Sequence, residues 1–155
     1  MDWLVDLISN PYLMAGISSW FIAQVLKTII HGIVNKKFDI WRLFGDGGMP
    51  SGHSATVTSV AVMCALIHGT GSVEFAISAI LAIIVCHDAM GVRMETGKQS
   101  MVINEILKLS DIFTTKDLPE VKLKEFVGHT PMQVFAGIIV GIINTLILYL
   151  YYVMI

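Results

Sequence analysis

The stretch best suited to chemistry is Gly47–Ser54, which reads Gly-Gly-Met-Pro-Ser-Gly-His-Ser and stands ahead of a long apolar run. Ser51 is a preferred helix N-cap, and Gly52 lets a ligand approach the backbone. The N–H groups and partial positive charge of a helix N-terminus suit an anion. His53 stands where it can pass a proton to the leaving group of that anion. The stretch indicates a phosphate site with an acid beside it; the alternative is a glycine-rich turn with an unrelated histidine.

A second histidine and two cations complete a candidate set for phosphoryl transfer. That reaction needs cations around the phosphoryl oxygens, a nucleophile in line and an acid for the leaving oxygen. Lys27 and Arg93 can neutralise the oxygens, and arginine can bind two at once. His129 precedes another predicted helix, whose N-terminus lowers the pKa of a nearby histidine and favours its neutral, nucleophilic form. His53 and His129 can therefore share the work of acid and nucleophile.

Composition indicates that these residues are carried by a membrane protein. Hydrophobic residues make up 55% of the 155 residues, charged residues make up 14%, and the mean hydropathy is +0.73. The length predicts one domain, residues 1–155. A net charge of -2 argues against nucleic acid as a partner, because nucleic acid needs a basic face. Cys64 and Cys86 fall inside apolar runs and are predicted to pack as small hydrophobes, and no zinc-ligand spacing indicates a metal.

Apolar runs predict the elements that must position the candidate residues. A helix needs roughly 20 apolar residues to cross the hydrocarbon core. The pattern predicts an all-α, polytopic transmembrane bundle of about four spanning helices plus short interfacial helices. The second long helix is short for a span, so we expect it to be buried among its neighbours. The main helices are predicted over residues 11–34, 54–69, 74–92 and 132–155, with short helices over 2–9 and 100–109 and a loop over 111–119.

Two patterns within these helices predict how they pack. Gln24, Lys27 and His31 share one face of the first spanning helix. Polar groups inside a span usually face a cavity or a partner, although Lys27 and His31 could instead snorkel to the interface. Gly137 and Gly141 have the small-xxx-small spacing that permits close helix packing.

The distribution of positive charge predicts an orientation in the membrane. All 10 Lys and Arg residues lie at the inner end of the first helix, in section 35–52 or in section 93–131. The positive-inside rule places both sections in the cytoplasm and both termini outside a multi-pass cell membrane. Gly47–Ser54, Asp88–Arg93 and the segment around His129 then meet at the cytoplasmic face, where we expect the active site.

The ordered motifs resemble those of a known superfamily. Pro50-Ser51-Gly52-His53 resembles the central motif of the type 2 phosphatidic acid phosphatase and vanadium haloperoxidase superfamily, and Gly128-His129-Thr130-Pro131 resembles its last motif. With Asp88–Arg93, the set is similar to a divergent bacterial membrane branch. The resemblance implies a phosphatase that needs no metal or other cofactor. In it Lys27, Ser51 and Gly52 bind phosphate, His53 is the general acid and His129 forms a phosphohistidine.

The sequence departs from the superfamily pattern in four ways. No Arg-Pro pair follows Lys27 at the spacing of the first motif. Leu123 occupies the position of an arginine, for which Arg93 is the candidate substitute. Gln133 stands where a carboxylate would orient His129. Two acidic residues could supply the missing charge: Asp88 and Glu125. The chain also has fewer spanning helices than the usual lipid phosphatases, which leaves a shallow site or one completed by a second protomer in a homodimer.

These observations favour an integral membrane phosphatase that hydrolyses a lipid phosphate or pyrophosphate through a phosphohistidine. The alternative is a non-catalytic protein that binds or translocates anionic lipids with a degenerate site, and the neutral Gln133 favours it. A phosphatase of soluble substrates is a third hypothesis, which an embedded site favours less.

Overall fold

The structure is a computed structural model that describes residues 2–36, 43, 45, 47–110, 123 and 128–154. Within these residues, six helices follow one another and no strand forms. The helices are α1 (Asp2–Ile8), α2 (Pro11–Asn35), α3 (Gly52–His68), α4 (Val73–Met90), α5 (Val92–Ser110) and α6 (Pro131–Met154).

Helix α3 lies at the centre of the bundle, where it packs against α2, α4 and α6. Three stretches of the described chain are long and apolar enough to cross a membrane: Pro11–Asn35, Val73–Leu107, which joins α4 to most of α5, and Pro131–Met154. Helix α3 is apolar but shorter, with 17 residues, or about 25 Å of helix. The prediction of an all-α membrane bundle is confirmed, and so is the short, buried helix after the glycine-rich stretch.

Side-chain caps fix where three of the helices begin. Asn10 Oδ1 accepts hydrogen bonds from two backbone N–H groups in the first turn of α2. Ser51 Oγ accepts from the Ser54 N–H at 3.3 Å, and Ser72 Oγ accepts from the Phe75 N–H at 3.2 Å. These caps satisfy N–H groups that have no partner within their own helix. The predicted N-cap at Ser51 is therefore confirmed, and it places His53 in the first turn of α3.

Helices α3 and α6 meet backbone to backbone. A Cβ built on Gly137 would lie 2.4 Å from the Ser51 carbonyl oxygen, and one on Gly141 would lie 2.6 Å from the Ala55 carbonyl oxygen. Real Cβ atoms essentially never come so close, so only glycine fits at either position. The close packing predicted from the small-xxx-small spacing is confirmed, and its partner is the N-terminal half of α3.

Polar contacts also join helix α2 to α6 and to α3. Asn144 Nδ2 on α6 donates to Ser18 Oγ and Ser19 Oγ on α2, each at 2.8 Å. Near the other end of α3, His68 Nε2 lies 2.5 Å from the Tyr12 hydroxyl at the start of α2. Helices α2 and α3 are therefore antiparallel, and His68 lies at the end of the bundle away from His53.

Helix α5 is the element that the sequence predicted least well. A short helix over 100–109 was expected, but α5 begins at Val92, directly after a break at Gly91, and has 19 residues. Its buried side carries Gly97, Ser100 and Asn104. Because those side chains are small or polar, the first half of α5 shows none of the apolar periodicity that marks a helix in sequence. The loop predicted over 111–119 lies outside the described residues.

We predict that Gly137→Ala strongly destabilises the bundle, because the added methyl group would meet the backbone of α3, which cannot move aside as a side chain can. Overpacking of this kind costs about 1–3 kcal/mol, and we expect the upper end. Thermal unfolding in detergent, followed by circular dichroism, measures the loss. Gly71→Ala is the matched control, because its Cβ would meet nothing within 4 Å among the described residues. Equal melting temperatures for the two variants would contradict the close packing.

Candidate active site

The structure brings the two candidate histidines together. His53 is the second residue of α3 and is exposed, whereas His129 lies two residues ahead of α6 and is buried. Their ring centroids are 6.5 Å apart, and the ring planes are inclined by 58°. Two imidazoles far apart in sequence thus lie at one end of the bundle, in environments of different polarity.

Backbone contacts hold His129 in place. Its N–H donates to the Ala89 carbonyl oxygen at 2.9 Å, at the end of α4. The Ser51 N–H donates to the Gln133 carbonyl oxygen at 2.9 Å, which joins the start of α3 to the start of α6. Gly128 has a φ of +97°, and a Cβ there would lie 2.4 Å from the Met94 nitrogen. The three segments predicted to meet, around residues 51, 89 and 129, are therefore in direct contact.

Gln133 determines which nitrogen of His129 carries the proton. Gln133 Oε1 lies 3.2 Å from His129 Nδ1 and accepts a hydrogen bond from the Thr130 N–H at 3.1 Å. Because a backbone N–H can only donate, the Gln133 atom that faces it must be the oxygen and not the amide nitrogen. That oxygen can only accept, so Nδ1 of the neutral ring bears the proton and Nε2 bears the lone pair. Gln133 selects the same tautomer that a carboxylate would select.

The surroundings of His129 lower its pKa below the ordinary value for histidine. Burial is the largest cause, since only 5% of the residue is exposed and the charged form loses its hydration. The hydrogen bond with Gln133 acts in the opposite direction, while the positive charges of Lys27, His53 and Arg93 lower the pKa further. The predicted direction is confirmed, but burial rather than a helix N-terminus is its main cause. His129 is therefore neutral near pH 7.

Lys27 lies inside the bundle, against the glycine-rich stretch. Only 5% of Lys27 is exposed, and its Nζ donates to the Gly45 carbonyl oxygen at 3.3 Å. A Cβ on Gly48 would lie 3.3 Å from Lys27 Cγ, so this backbone passes close to the lysine stem. Gln24, one turn away, is also buried, and its Oε1 has no hydrogen-bond partner among the described residues. The polar face of α2 thus packs into the protein, and Lys27 does not snorkel.

Ser51 and Gly52 build the start of α3. Ser51 is wholly buried, and its Oγ also accepts from the Ser54 hydroxyl at 3.0 Å. A Cβ built on Gly52 would lie 3.3 Å from Trp20 Cδ1. Sequence reasoning did not identify Trp20, because an aromatic residue in a spanning helix gives no sign of what it packs against. Phosphate binding by Ser51 and Gly52 stays a prediction.

Arg93 and Asp88 form an ion pair at the rim of the site. Arg93 Nε lies 2.9 Å from Asp88 Oδ2, and the two side chains are 51% and 43% exposed. Asp88 thus contacts Arg93, while the imidazole of His129 contacts Gln133. Glu125, the other candidate carboxylate, lies outside the described residues. Among the residues that are described, no group of three or more His, Cys, Asp or Glu side chains is placed to hold a metal ion.

Comparison with known proteins identifies the family of this chain. Residues 8–144 match the family model of the Divergent PAP2 family. The chain belongs to this family. The uncharacterized membrane protein YuiD of Bacillus subtilis (strain 168) is 41% identical over 153 residues, which cover 93% of this chain and 97% of YuiD. No solved structure matches the chain. The resemblance drawn from the motifs is confirmed, and this member of the Divergent PAP2 family is a membrane protein of the PAP2 superfamily.

We predict that Gln133→Glu raises the pKa of His129, because a carboxylate beside Nδ1 stabilises the imidazolium. Histidine labelled with carbon-13 and titrated by NMR in detergent measures this pKa, and the resonance is assigned with His129→Ala. Gln99→Glu is the control, because it makes the same change of charge on the exposed side of α5. A pKa that does not differ between wild type and Gln133→Glu would contradict the contact between Gln133 and His129.

Proposed function

We propose that this protein is a membrane phosphatase that hydrolyses a lipid phosphate or pyrophosphate through a phosphohistidine. One observation carries the proposal: a buried, neutral His129 whose lone pair is on Nε2 lies beside a second, exposed histidine, with ring centroids 6.5 Å apart. That spacing allows a single phosphoryl group to lie between the two rings. Membership of the PAP2 superfamily supports the same chemistry.

The proposed reaction has two steps. His129 Nε2 donates its lone pair to phosphorus, and the bond between phosphorus and the leaving oxygen breaks while protonated His53 gives that oxygen a proton. Neutral His53 then takes a proton from a water molecule that attacks the phosphohistidine, which releases inorganic phosphate and restores both histidines. The Nδ1–H of His129 stays on Gln133 Oε1 throughout, and this contact keeps the attacking nitrogen aimed.

The remaining polar groups bind the phosphoryl oxygens. Lys27 supplies a buried positive charge, which acts strongly because little water screens it. The N-terminus of α3, capped by Ser51 and continued by Gly52, supplies backbone dipoles. Arg93 is poised at the rim, where a phosphate oxygen can compete with Asp88 for its guanidinium. Electrostatic stabilisation of this kind is the largest contribution that such a site can make to phosphoryl transfer.

A lipid is the substrate that the position of the site favours. The site lies at one end of helices long and apolar enough to span a membrane, so it lies where lipid head groups would be. We propose that this end faces the cytoplasm from within the cell membrane, because the sequence concentrates Lys and Arg in sections 35–52 and 93–131. One domain over residues 1–155 then contains the whole site.

The activity is tested with purified protein in detergent that is given phosphatidic acid, phosphatidylglycerol phosphate or a polyprenyl pyrophosphate. We expect phosphate release from at least one of them, and we expect His129→Ala to abolish it. Loss of a general acid costs about 10²–10⁴-fold, so His53→Ala is expected to retain a trace of activity. Activity that survives both substitutions would rule out this mechanism.

A change of leaving group separates the two histidines. p-Nitrophenyl phosphate has a leaving oxygen that departs without a proton, so it bypasses the need for an acid. We expect this substrate to rescue the first step in His53→Ala, seen as a burst of p-nitrophenolate, because only the later attack of water then needs His53 as a base. We expect no burst from His129→Ala. Phosphoprotein that is stable in base and labile in acid should form only when His129 is present. Equal rescue of the two variants would contradict the assigned roles.

The neutral side chain of Gln133 also favours a second candidate function, the binding or translocation of anionic lipids without chemistry. It predicts saturable binding of phosphatidic acid with no release of phosphate, unchanged by Gln133→Glu. Phosphate release by the wild type decides against it. Phosphate release that appears only in Gln133→Glu would indicate an enzyme that lost its activity together with the carboxylate at position 133.

The proposed orientation of the helices in the membrane is tested by labelling introduced cysteines. Cys64 and Cys86 are buried, so a cysteine introduced at an exposed position can be labelled selectively. Thr70→Cys, in the turn between α3 and α4, should react with an impermeant maleimide on intact cells. Lys98→Cys, on the exposed side of α5, should react only after the membrane is opened. The reverse pattern would place the active site outside the cell.

A further inference from the structure

A buried asparagine on α5 holds the main chain of the segment that leads to His129. Asn104 Nδ2 donates to the Leu123 carbonyl oxygen at 2.9 Å, and Asn104 Oδ1 accepts from the Leu123 N–H at 3.0 Å. One carboxamide thus binds both backbone groups of one residue. Only 5% of Asn104 is exposed, so these two hydrogen bonds form where water competes little for them.

The same segment contacts α5 and α4 at two more points. Gly128 lies so close to the first turn of α5 that a Cβ on it would be 2.4 Å from the Met94 nitrogen. The N–H of His129 donates to Ala89 at the end of α4. Leu123, Gly128 and His129, the described residues of this segment, therefore each contact α4 or α5.

Helix α5 packs against α4 and against none of the other described helices. It therefore adds little to the bundle itself. What it does contact is the main chain at Leu123 and Gly128, on either side of residues 124–127. A helix whose buried side carries Gly97, Ser100 and Asn104 gains little from the hydrophobic effect, so its specific contacts are polar and close.

We propose that Asn104 is a positioning residue for His129: its two hydrogen bonds fix the main chain at Leu123, six residues before the imidazole that faces His53. The inference rests on the proposed phosphatase function for its consequence in catalysis, but the clamp itself does not. Asn104 touches no reacting atom. It acts through the main chain, so its effect depends on its carboxamide and is independent of the side chain at position 123.

Asparagine suits this task because it presents a donor and an acceptor side by side. Alanine removes both groups and leaves two backbone groups of Leu123 without their partner. Aspartate keeps the acceptor for the Leu123 N–H but loses the donor and faces the Leu123 carbonyl oxygen with a negative charge. We therefore expect Asn104→Ala and Asn104→Asp both to lower kcat, and Leu123→Ala to stay close to wild type.

The experiment uses the full chain in detergent, with phosphatidic acid as the probe substrate. A displacement of about 1 Å in a catalytic group can cost about 100-fold in rate, so we expect Asn104→Ala to lower kcat about 100-fold. KM should stay within about twofold, since Lys27 and the start of α3 are untouched. The NMR titration of His129 should show its pKa moving up towards the ordinary value, because the released segment lets water reach the ring.

Hydrogen exchange at the Leu123 amide supplies a reading that needs no turnover. It should accelerate in Asn104→Ala and stay slow in Gln99→Ala, the matched loss of an exposed carboxamide from the same helix. If exchange accelerates while kcat and the His129 titration do not change, the clamp exists but does not position His129, and the inference fails. If exchange does not change, the clamp itself is refuted.

Failure of the proposed function gives a different result. If the wild type releases no phosphate from any of the lipid substrates, the phosphatase is refuted. Hydrogen exchange then decides whether the clamp exists, and the His129 titration decides whether it positions His129. A pKa that moves in Asn104→Ala, but not in Gln99→Ala, then still supports Asn104 as the residue that places His129. A pKa that moves in neither variant overturns the inference.

Discussion

The close contact between the starts of α3 and α6 is the constraint on which the candidate site depends. Gly137 lies against the Ser51 carbonyl oxygen, and the Ser51 N–H in turn donates to the Gln133 carbonyl oxygen. His53 and His129 each lie within a few residues of this contact. Without a hydrophobic force between helices in lipid, such packing comes from small residues and hydrogen bonds. The spacing of the two imidazoles is thus a consequence of how closely two backbones approach.

Gln133 separates two tasks that a carboxylate would perform together. A carboxylate beside a histidine fixes its tautomer and also stabilises its positive charge. In serine proteases, replacing that aspartate by asparagine costs about 10⁴ in rate because the wrong tautomer results. Here the Thr130 N–H holds the amide oxygen towards His129, so the correct tautomer is kept. Only the stabilisation of charge is lost, and in the proposed reaction that loss falls on the phosphohistidine, whose ring becomes positively charged as Nε2 bonds to phosphorus.

Local chemistry explains what the sequence predicted and what it did not. Apolar runs of about 20 residues, the Ser51 cap and the spacing of Gly137 and Gly141 are local signals, and each predicted its element correctly. The first half of α5 gave no such signal, because its buried residues are small and polar. The contacts of Gln133 and Arg93 depend on which groups three distant segments bring together. The motifs indicate which residues to consider for a site, whereas only the structure gives the contacts that each described residue makes.

The cause of the low pKa of His129 matters more than its direction. Lys27, His53 and Arg93 all lower that pKa through their positive charges. A bound phosphate would offset these charges and favour protonation of the ring, which would remove the attacking lone pair. Burial does not depend on those charges, and a bound lipid would exclude still more water from the ring. Because burial is the largest cause of the low pKa, the nucleophile of the proposed reaction would keep its lone pair beside a bound phosphate, which a site built on cations alone would not achieve.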